Sequence, residues 1–211
     1  MYSPRPMSEI SPLERRRAPT DDRRAAIARA ARELIVEKGV EGLRTRDIAD
    51  RVGINVATLH YHVPSKEALI ELVADSLRQE FMNQHATRPR AHLGVEERMD
   101  LEFIDFREMI EERPEVMRVF SELMERARRD DRIAACILPM KRRWRERVQS
   151  LLTEGVKAGV YRPDLDPDSA AIMIIGAMVS FCRERRTDFD AYERLVAELK
   201  RAIRNPNSPR N

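Results

Sequence analysis

Side chains able to contact nucleic acid are concentrated in one stretch of this sequence, residues 45–69, which reads TRDIADRVGINVATLHYHVPSKEAL. Arg46 and Lys66 carry positive charge, and the short segment after Gly53 holds threonine, tyrosine and histidine. A helix, a glycine turn and a second short helix bearing such side chains is how a small domain places polar groups in a DNA groove. The spacing therefore predicts a helix-turn-helix that contacts double-stranded DNA.

Three predicted helices must position these side chains. The first begins at Thr20, which can cap it, and ends at Gly39. The second runs from about Thr45 to Val52, and Asn55 caps a third that reaches His62. Ser65 then caps a fourth, long helix. The apolar positions expected in the core of this three-helix domain are Ile48, Ala49, Leu59 and Val63.

The rest of the sequence is also helical in pattern. Pro139 is expected to divide the segment between Asp131 and Gly159, and a last helix is expected from about Asp188 to Arg204. We therefore predict an all-α fold of nine or ten helices. Its domains are a helix-turn-helix domain over residues 20–64 and a helical ligand-binding and dimerisation domain over 65–205, between a disordered basic tail at 1–19 and a disordered tail at 206–211.

Charge and cysteine content restrict the class of protein. The net charge is +3, and residues 1–66 hold 13 basic against 9 acidic residues, so the small excess lies where DNA contact is predicted. Cys136 and Cys182 stand alone, which argues against a disulfide framework or a zinc knuckle. The apolar run 170–182 is too short to span a bilayer. We expect a cytoplasmic, nucleoid-associated protein without membrane contact.

The segment from Thr20 to about Phe81 resembles the amino-terminal domain of the tetracycline-repressor (TetR) family. The resemblance is carried by GLRTRDIADRVGI followed by ATLHYHVPSKEAL, with turn, caps and the TLxYHxxSKEAL string in order. It implies a homodimer on a palindromic operator. It also implies that a small-molecule effector shifts the fourth helix and so releases the DNA.

The resemblance assigns roles to individual residues. Arg46 matches an arginine that reads guanine, while Val56 and Ala57 can offer only methyl contacts to base edges. Thr58, Tyr61 and Lys66 match phosphate-binding positions. The remaining predicted contacts are Thr45, His62, which matches a residue beside the DNA backbone, and His60, which stands where the family usually has tyrosine.

Each of these residues has a simpler interpretation. Arg46 is then a solvated arginine at a helix start, Tyr61 packs in the three-helix core, and Lys66 only decorates a helix start. His60 and His62 are two residues apart and point to different sides of a helix, so a shared metal ion is not expected.

Methionine and aromatic residues after residue 81 could fill a core or line an adaptable apolar pocket. The ligand-pocket candidates are Phe103, Phe106, Met109, Phe120, Met140, Trp144 and Met178. The run 170–182 is apolar on nearly every side, so a second subunit is expected to cover it, as the last two helices do in TetR-like dimers. The predicted interface residues are Ile174, Ile175, Met178, Phe181, Leu195 and Leu199.

The predicted function is a dimeric, sequence-specific repressor released from its operator by a small apolar or amphipathic ligand. An architectural DNA-binding protein without an inducer is the main alternative. An all-helical enzyme is a third interpretation, but no nucleophile, acid–base pair or phosphate-binding loop is visible. We therefore predict no enzymatic activity, no cofactor and no metal.

Overall fold

The computed structural model describes residues 12–184 and 188–207, with side chains described from Thr20 onward. Over these residues the chain forms nine α-helices and no strand; one isolated β-bridge joins Tyr161 to Arg204. The helices are α1 (Pro12–Lys38), α2 (Thr45–Val52), α3 (Val56–His62), α4 (Lys66–Ala86), α5 (Val95–Glu112), α6 (Pro114–Arg126), α7 (Asp131–Lys157), α8 (Pro167–Arg183) and α9 (Phe189–Ile203). The predicted all-α fold is confirmed.

Four helices begin at capping side chains that the sequence indicates. Asn55 and Ser65 accept hydrogen bonds from the backbone N–H three residues later, at 2.7 and 3.1 Å. Asp166 and Asp188 do the same for α8 and α9, at 3.0 and 3.1 Å. Since the first N–H groups of a helix have no partner inside it, these caps fix where the helices start.

The start of α1 differs from the prediction. The helix begins at Pro12, so Thr20 lies inside it and cannot be its N-cap. Proline is favoured in the first turn of a helix, where its missing N–H needs no partner. Residues 12–19 of the predicted tail are therefore helical, while 1–11 and 208–211 lie outside the described residues.

The prediction that Pro139 divides its segment is wrong. Helix α7 is continuous from Asp131 to Lys157 with Pro139 inside it. An interior proline removes one hydrogen bond and costs about 3 kcal/mol or more. The helix is buried on both sides of the proline, at Ile137 and at Leu152, each 0% exposed, and this packing outweighs the local cost.

The described chain forms two compact units, one ending at Ser76 and the other starting at Leu77. The division falls inside α4 rather than before it. In the first unit α1 packs on α2, and α2 packs on α3. The four predicted core residues, Ile48, Ala49, Leu59 and Val63, are at most 3% exposed.

In the second unit α7 packs against α5, α6 and α8, and α9 packs against α8 and α5. The Tyr192 hydroxyl of α9 donates to the backbone oxygen of Phe103 at 2.9 Å. Lys200 pairs with Asp100 at 2.7 Å. These contacts fix the last helix on α5, the helix that supplies much of the cavity described below.

A tight turn after α7 packs the ring of Tyr161 against this helix. The backbone N–H groups of Val160 and Tyr161 both donate to the Gly155 oxygen, at 2.9 and 3.1 Å. The ring of Tyr161 is 4% exposed and lies directly over Gly155. A side chain at position 155 would overlap that ring.

In the part of the chain that the structure describes, none of the helices is long and apolar enough to cross a membrane.

The Gly155→Ala variant is expected to lower the free energy of unfolding by about 1–3 kcal/mol, because the added methyl group must displace the buried Tyr161 ring. Urea denaturation followed by circular dichroism measures the change. Ser150→Ala, on the exposed side of the same helix, is the control and should leave stability unchanged or slightly raised. Equal stability of the two variants would contradict this packing.

Candidate nucleic-acid interface and apolar cavity

The turn between α2 and α3 depends on a residue with a left-handed backbone. Gly53 has φ +72° and ψ +38°, a conformation that side-chain-bearing residues rarely adopt. Its N–H donates to the Asp50 oxygen at 3.2 Å, and the N–H of Ile54 donates to the Ala49 oxygen at 3.0 Å. The end of α2 is thereby closed, and the chain is redirected into α3.

Helix α3 has only seven residues and is held at both ends and in the middle. Asn55 caps its start through the Thr58 N–H. At its end the Arg24 guanidinium of α1 donates to the His62 backbone oxygen at 2.9 Å. Between them Leu59 is 1% exposed. The sequence analysis missed Arg24, because no local pattern reveals a contact between residues 38 positions apart.

Ion pairs orient α2 on α1. Arg51 donates to both carboxylate oxygens of Glu37, at 2.8 and 3.0 Å, and this hydrogen bonding lowers the pKa of Glu37 below its usual range. Lys38 donates to Asp47 at 2.6 Å and lowers the pKa of that carboxyl group in the same way. Since all four groups are exposed to solvent, the pairs fix orientation more than they add stability.

The predicted DNA-contacting residues lie mainly on the surface of the first unit. Tyr61 is 83% exposed, so the alternative that it packs in the core is wrong. Its ring lies edge-on to His62, with ring centroids 5.2 Å apart. Val56, the first residue of α3, is 37% exposed. The other exposed candidates are Thr45, Arg46, Ala57, His60 and Lys66, and Thr58 and His62 are half-buried.

The second unit contains an apolar cavity of about 390 Å³. Five of the seven pocket candidates line it: Phe106, Met109, Phe120, Met140 and Trp144. Phe106 stacks on Trp144 with centroids 5.6 Å apart and an angle of 16° between the rings. Phe81, which the sequence analysis did not select, also lines the cavity and meets Phe120 edge-on at 5.7 Å. The other two candidates, Phe103 and Met178, are buried and are not among the lining residues.

One wall of the cavity is ionic. Glu102 is 5% exposed, and Arg147 donates to its two oxygens at 2.9 and 2.8 Å. Asp105 accepts from Arg88 at 2.8 Å and also from Arg90. These pairs join α5 to α7 and to the loop after α4. Sequence reasoning missed them because each links distant positions.

His85, near the end of α4, also lines this wall. Burial is the main cause that lowers its pKa below the ordinary value, and the positive charges of Arg147 and Arg90 add to the effect. The carboxylates of Glu102 and Asp105, about 4 Å away, oppose the shift without cancelling it. His85 is therefore neutral at neutral pH.

The predicted dimer residues are mostly buried inside one copy of the chain. Ile174, Ile175, Met178, Phe181 and Leu199 are at most 6% exposed, and Leu195 is half-buried. Their apolar character is therefore accounted for by the protomer's own core. The large apolar side chains that α8 does expose are Ile172 and Met173, 52% and 41% exposed. The sequence did not separate the two faces because nearly every position of α8 is apolar.

Two family models match this chain in succession. The model described as "Bacterial regulatory proteins, tetR family" matches residues 27–73, which contain α2, α3 and the turn between them. The model described as "BetI-type transcriptional repressor, C-terminal" matches residues 106–204, which contain the cavity wall from Phe106 onward.

Among curated proteins, the chain is similar to the class A tetracycline repressor of Escherichia coli. They share 38% identity over 65 residues, which span 31% of this chain and 29% of that repressor's length. It is also 26% identical over 160 residues to the HTH-type transcriptional repressor KstR2 of Mycobacterium tuberculosis, a match that covers 74% of this chain and 78% of KstR2.

Among solved structures, the fold is similar to that of a transcriptional regulator from Saccharomonospora viridis in complex with choline. The TM-score is 0.69 at 22% identity, and the alignment covers 86% of this chain and 95% of that protein. The match of both family models in order along the chain, on a fold of this kind, shows that the chain belongs to the TetR family of transcriptional regulators.

Proposed function

We propose that the chain is a homodimeric repressor that binds an operator through α3 and the first turn of α2, and releases it when a small molecule fills the cavity. One observation carries this proposal. Helix α3 is held in place by Asn55, Leu59 and Arg24. Two of its side chains nevertheless face solvent, Tyr61 at 83% and Val56 at 37% exposure. Fixed elements that present outward side chains are suited to groove binding.

We assign recognition of the bases and positioning on the DNA backbone to different residues. Arg46 is exposed in the first turn of α2 and is assigned to guanine, where a guanidinium fork meets O6 and N7. Val56 and Ala57 contribute apolar contacts to base edges, as to a thymine methyl group. The phosphate and backbone contacts are assigned to Thr45, Thr58, His60, Tyr61, His62 and Lys66.

The dimer face is assigned to the outer side of α8. Ile172 and Met173 are the exposed large apolar residues there, and the exposed Gly176 and Ser180 follow at four-residue intervals on the same side. A two-fold pair of chains would present two α3 helices to successive major grooves about 34–36 Å apart. The operator is therefore expected to be palindromic.

Ligand control is assigned to α4. This helix is continuous from Lys66, a proposed phosphate contact, to Ala86, and its last turns carry the cavity residues Phe81 and His85. A ligand that favours one position of α4 would change DNA affinity, and such coupling is typically 1–3 kcal/mol.

Replacing Arg46 with alanine tests the assignment of base readout. On an operator selected from genomic fragments, Arg46→Ala is expected to cost about 1–3 kcal/mol in binding free energy, with little loss on random DNA. Fluorescence anisotropy with both duplexes measures the difference. Arg29→Ala removes the same charge from an exposed site on α1 and should affect both duplexes only weakly. An equal loss on the two duplexes would make Arg46 a phosphate contact.

The salt dependence of binding tests the role of Lys66. Each phosphate contact releases condensed counterions, so Lys66→Ala is expected to reduce the slope of log affinity against log salt by about one. Lys157→Ala, at the exposed end of α7, is the control and should keep the wild-type slope. A wild-type slope for the Lys66 variant would remove this residue from the phosphate contacts.

A further inference from the structure

We propose that the cavity takes an amphipathic anion, with an apolar body among the aromatic side chains and a negative charge beside the cationic side chains of α7 that line it, Lys141 and Arg143. The inference rests on the proposed function in one respect, that this cavity is the ligand site. It goes beyond that function by assigning the charge of the ligand and the residues that select it.

The apolar part of the ligand is indicated by the rings and thioethers of the cavity. Phe106 and Trp144 stack face to face and offer a flat wall. Met109 and Met117 are each 3% exposed and line the same space. The volume of about 390 Å³ falls within the roughly 300–1,000 Å³ of small-molecule sites. Thioethers adapt to different shapes, so this wall selects for apolar bulk.

The negative groups of the cavity are already paired. Both oxygens of Glu102 accept from Arg147, and Asp105 accepts from Arg88 and Arg90. A cationic ligand would therefore have to displace an arginine from a carboxylate before gaining its own pair. At Glu102, which is 5% exposed, the incoming cation would have to replace two hydrogen bonds from Arg147, so the exchange gains little.

The positive groups of the cavity outnumber the negative ones. Four cationic side chains line it, against the two carboxylates. Two of the four, Lys141 and Arg143, make no ion pair or side-chain hydrogen bond with the side chains described, those of residues 20–184 and 188–207. They lie between the cavity residues Met140 and Trp144 on α7, and both are exposed to solvent. An anionic head beside either side chain gains a cation without breaking an existing pair.

Three probes of equal chain length separate the charge preference from apolar burial: decanoate, decan-1-ol and decyltrimethylammonium, each used below its micelle concentration. The full chain is titrated with each, following the fluorescence of Trp144, its single tryptophan, and confirming affinity by calorimetry. We expect decanoate to bind about 5–10-fold more tightly than decan-1-ol, since hydrogen bonds to charged groups exceed neutral ones. Decyltrimethylammonium and choline should bind more weakly than decan-1-ol.

Variants locate the charge preference. Lys141→Ala combined with Arg143→Ala should reduce the advantage of decanoate over decan-1-ol to less than about twofold, while decan-1-ol affinity stays near the wild-type value. Arg142→Ala, an exposed neighbour on α7 that does not line the cavity, is the control and should keep the full advantage. Added salt should weaken decanoate binding and leave decan-1-ol binding unchanged, because the anion pairs with exposed cations.

The proposal is overturned if decyltrimethylammonium binds as tightly as decanoate, if the double variant keeps the preference, or if none of the probes binds. Operator binding is measured on the same preparations. A wild-type chain that binds the operator but shows no preference for decanoate would refute the anion site alone. If the ligand-free chain binds no operator while the same preparation still binds decanoate at the cavity, the repressor function is refuted and the anion site stands.

Discussion

The arrangement of the first unit depends on holding one very short helix in place. A helix of seven residues has few internal hydrogen bonds and is not stable by itself in water. Helix α3 is stabilised from outside, by the Asn55 cap at its start, the buried Leu59 in its middle and the Arg24 guanidinium at its last turn. These contacts hold α3 in place without the help of its exposed side chains. The exposed side chains can therefore serve recognition.

In the second unit, the constraint is that a charged carboxylate is buried among apolar side chains. Glu102 is almost fully buried, and burying a carboxylate is costly unless it is paired and hydrogen-bonded. Arg147 supplies both hydrogen bonds, and Arg90 lies within 3.6 Å. The carboxylates are neutralised on one wall of the cavity, and Phe106 and Trp144 form another. Lys141 and Arg143, which have no ion-pair partner among the described side chains, also line it.

The sequence predicted what local chemistry determines and missed what distant contacts determine. The bounds of α2 and α3 follow from Gly53 and Asn55, whose conformational and capping preferences are local. Pro139 was misjudged because the packing of α7 on its neighbours outweighs a local preference. Arg24 and the Arg147–Glu102 pair join positions 38 and 45 residues apart, beyond the reach of spacing rules. On α8 uniform apolarity conceals which face is buried, so the sequence does not indicate that Ile172 and Met173 are the exposed residues.

In the proposed complex, two copies of α3 contact one duplex. Hydroxyl-radical footprinting on a genomically selected operator measures whether they do. Because α3 would occupy the major groove at each half-site, we expect two protected stretches related by a two-fold axis, with centres about 34–36 Å apart along the duplex. A single protected stretch, or protection that does not depend on sequence, would contradict it.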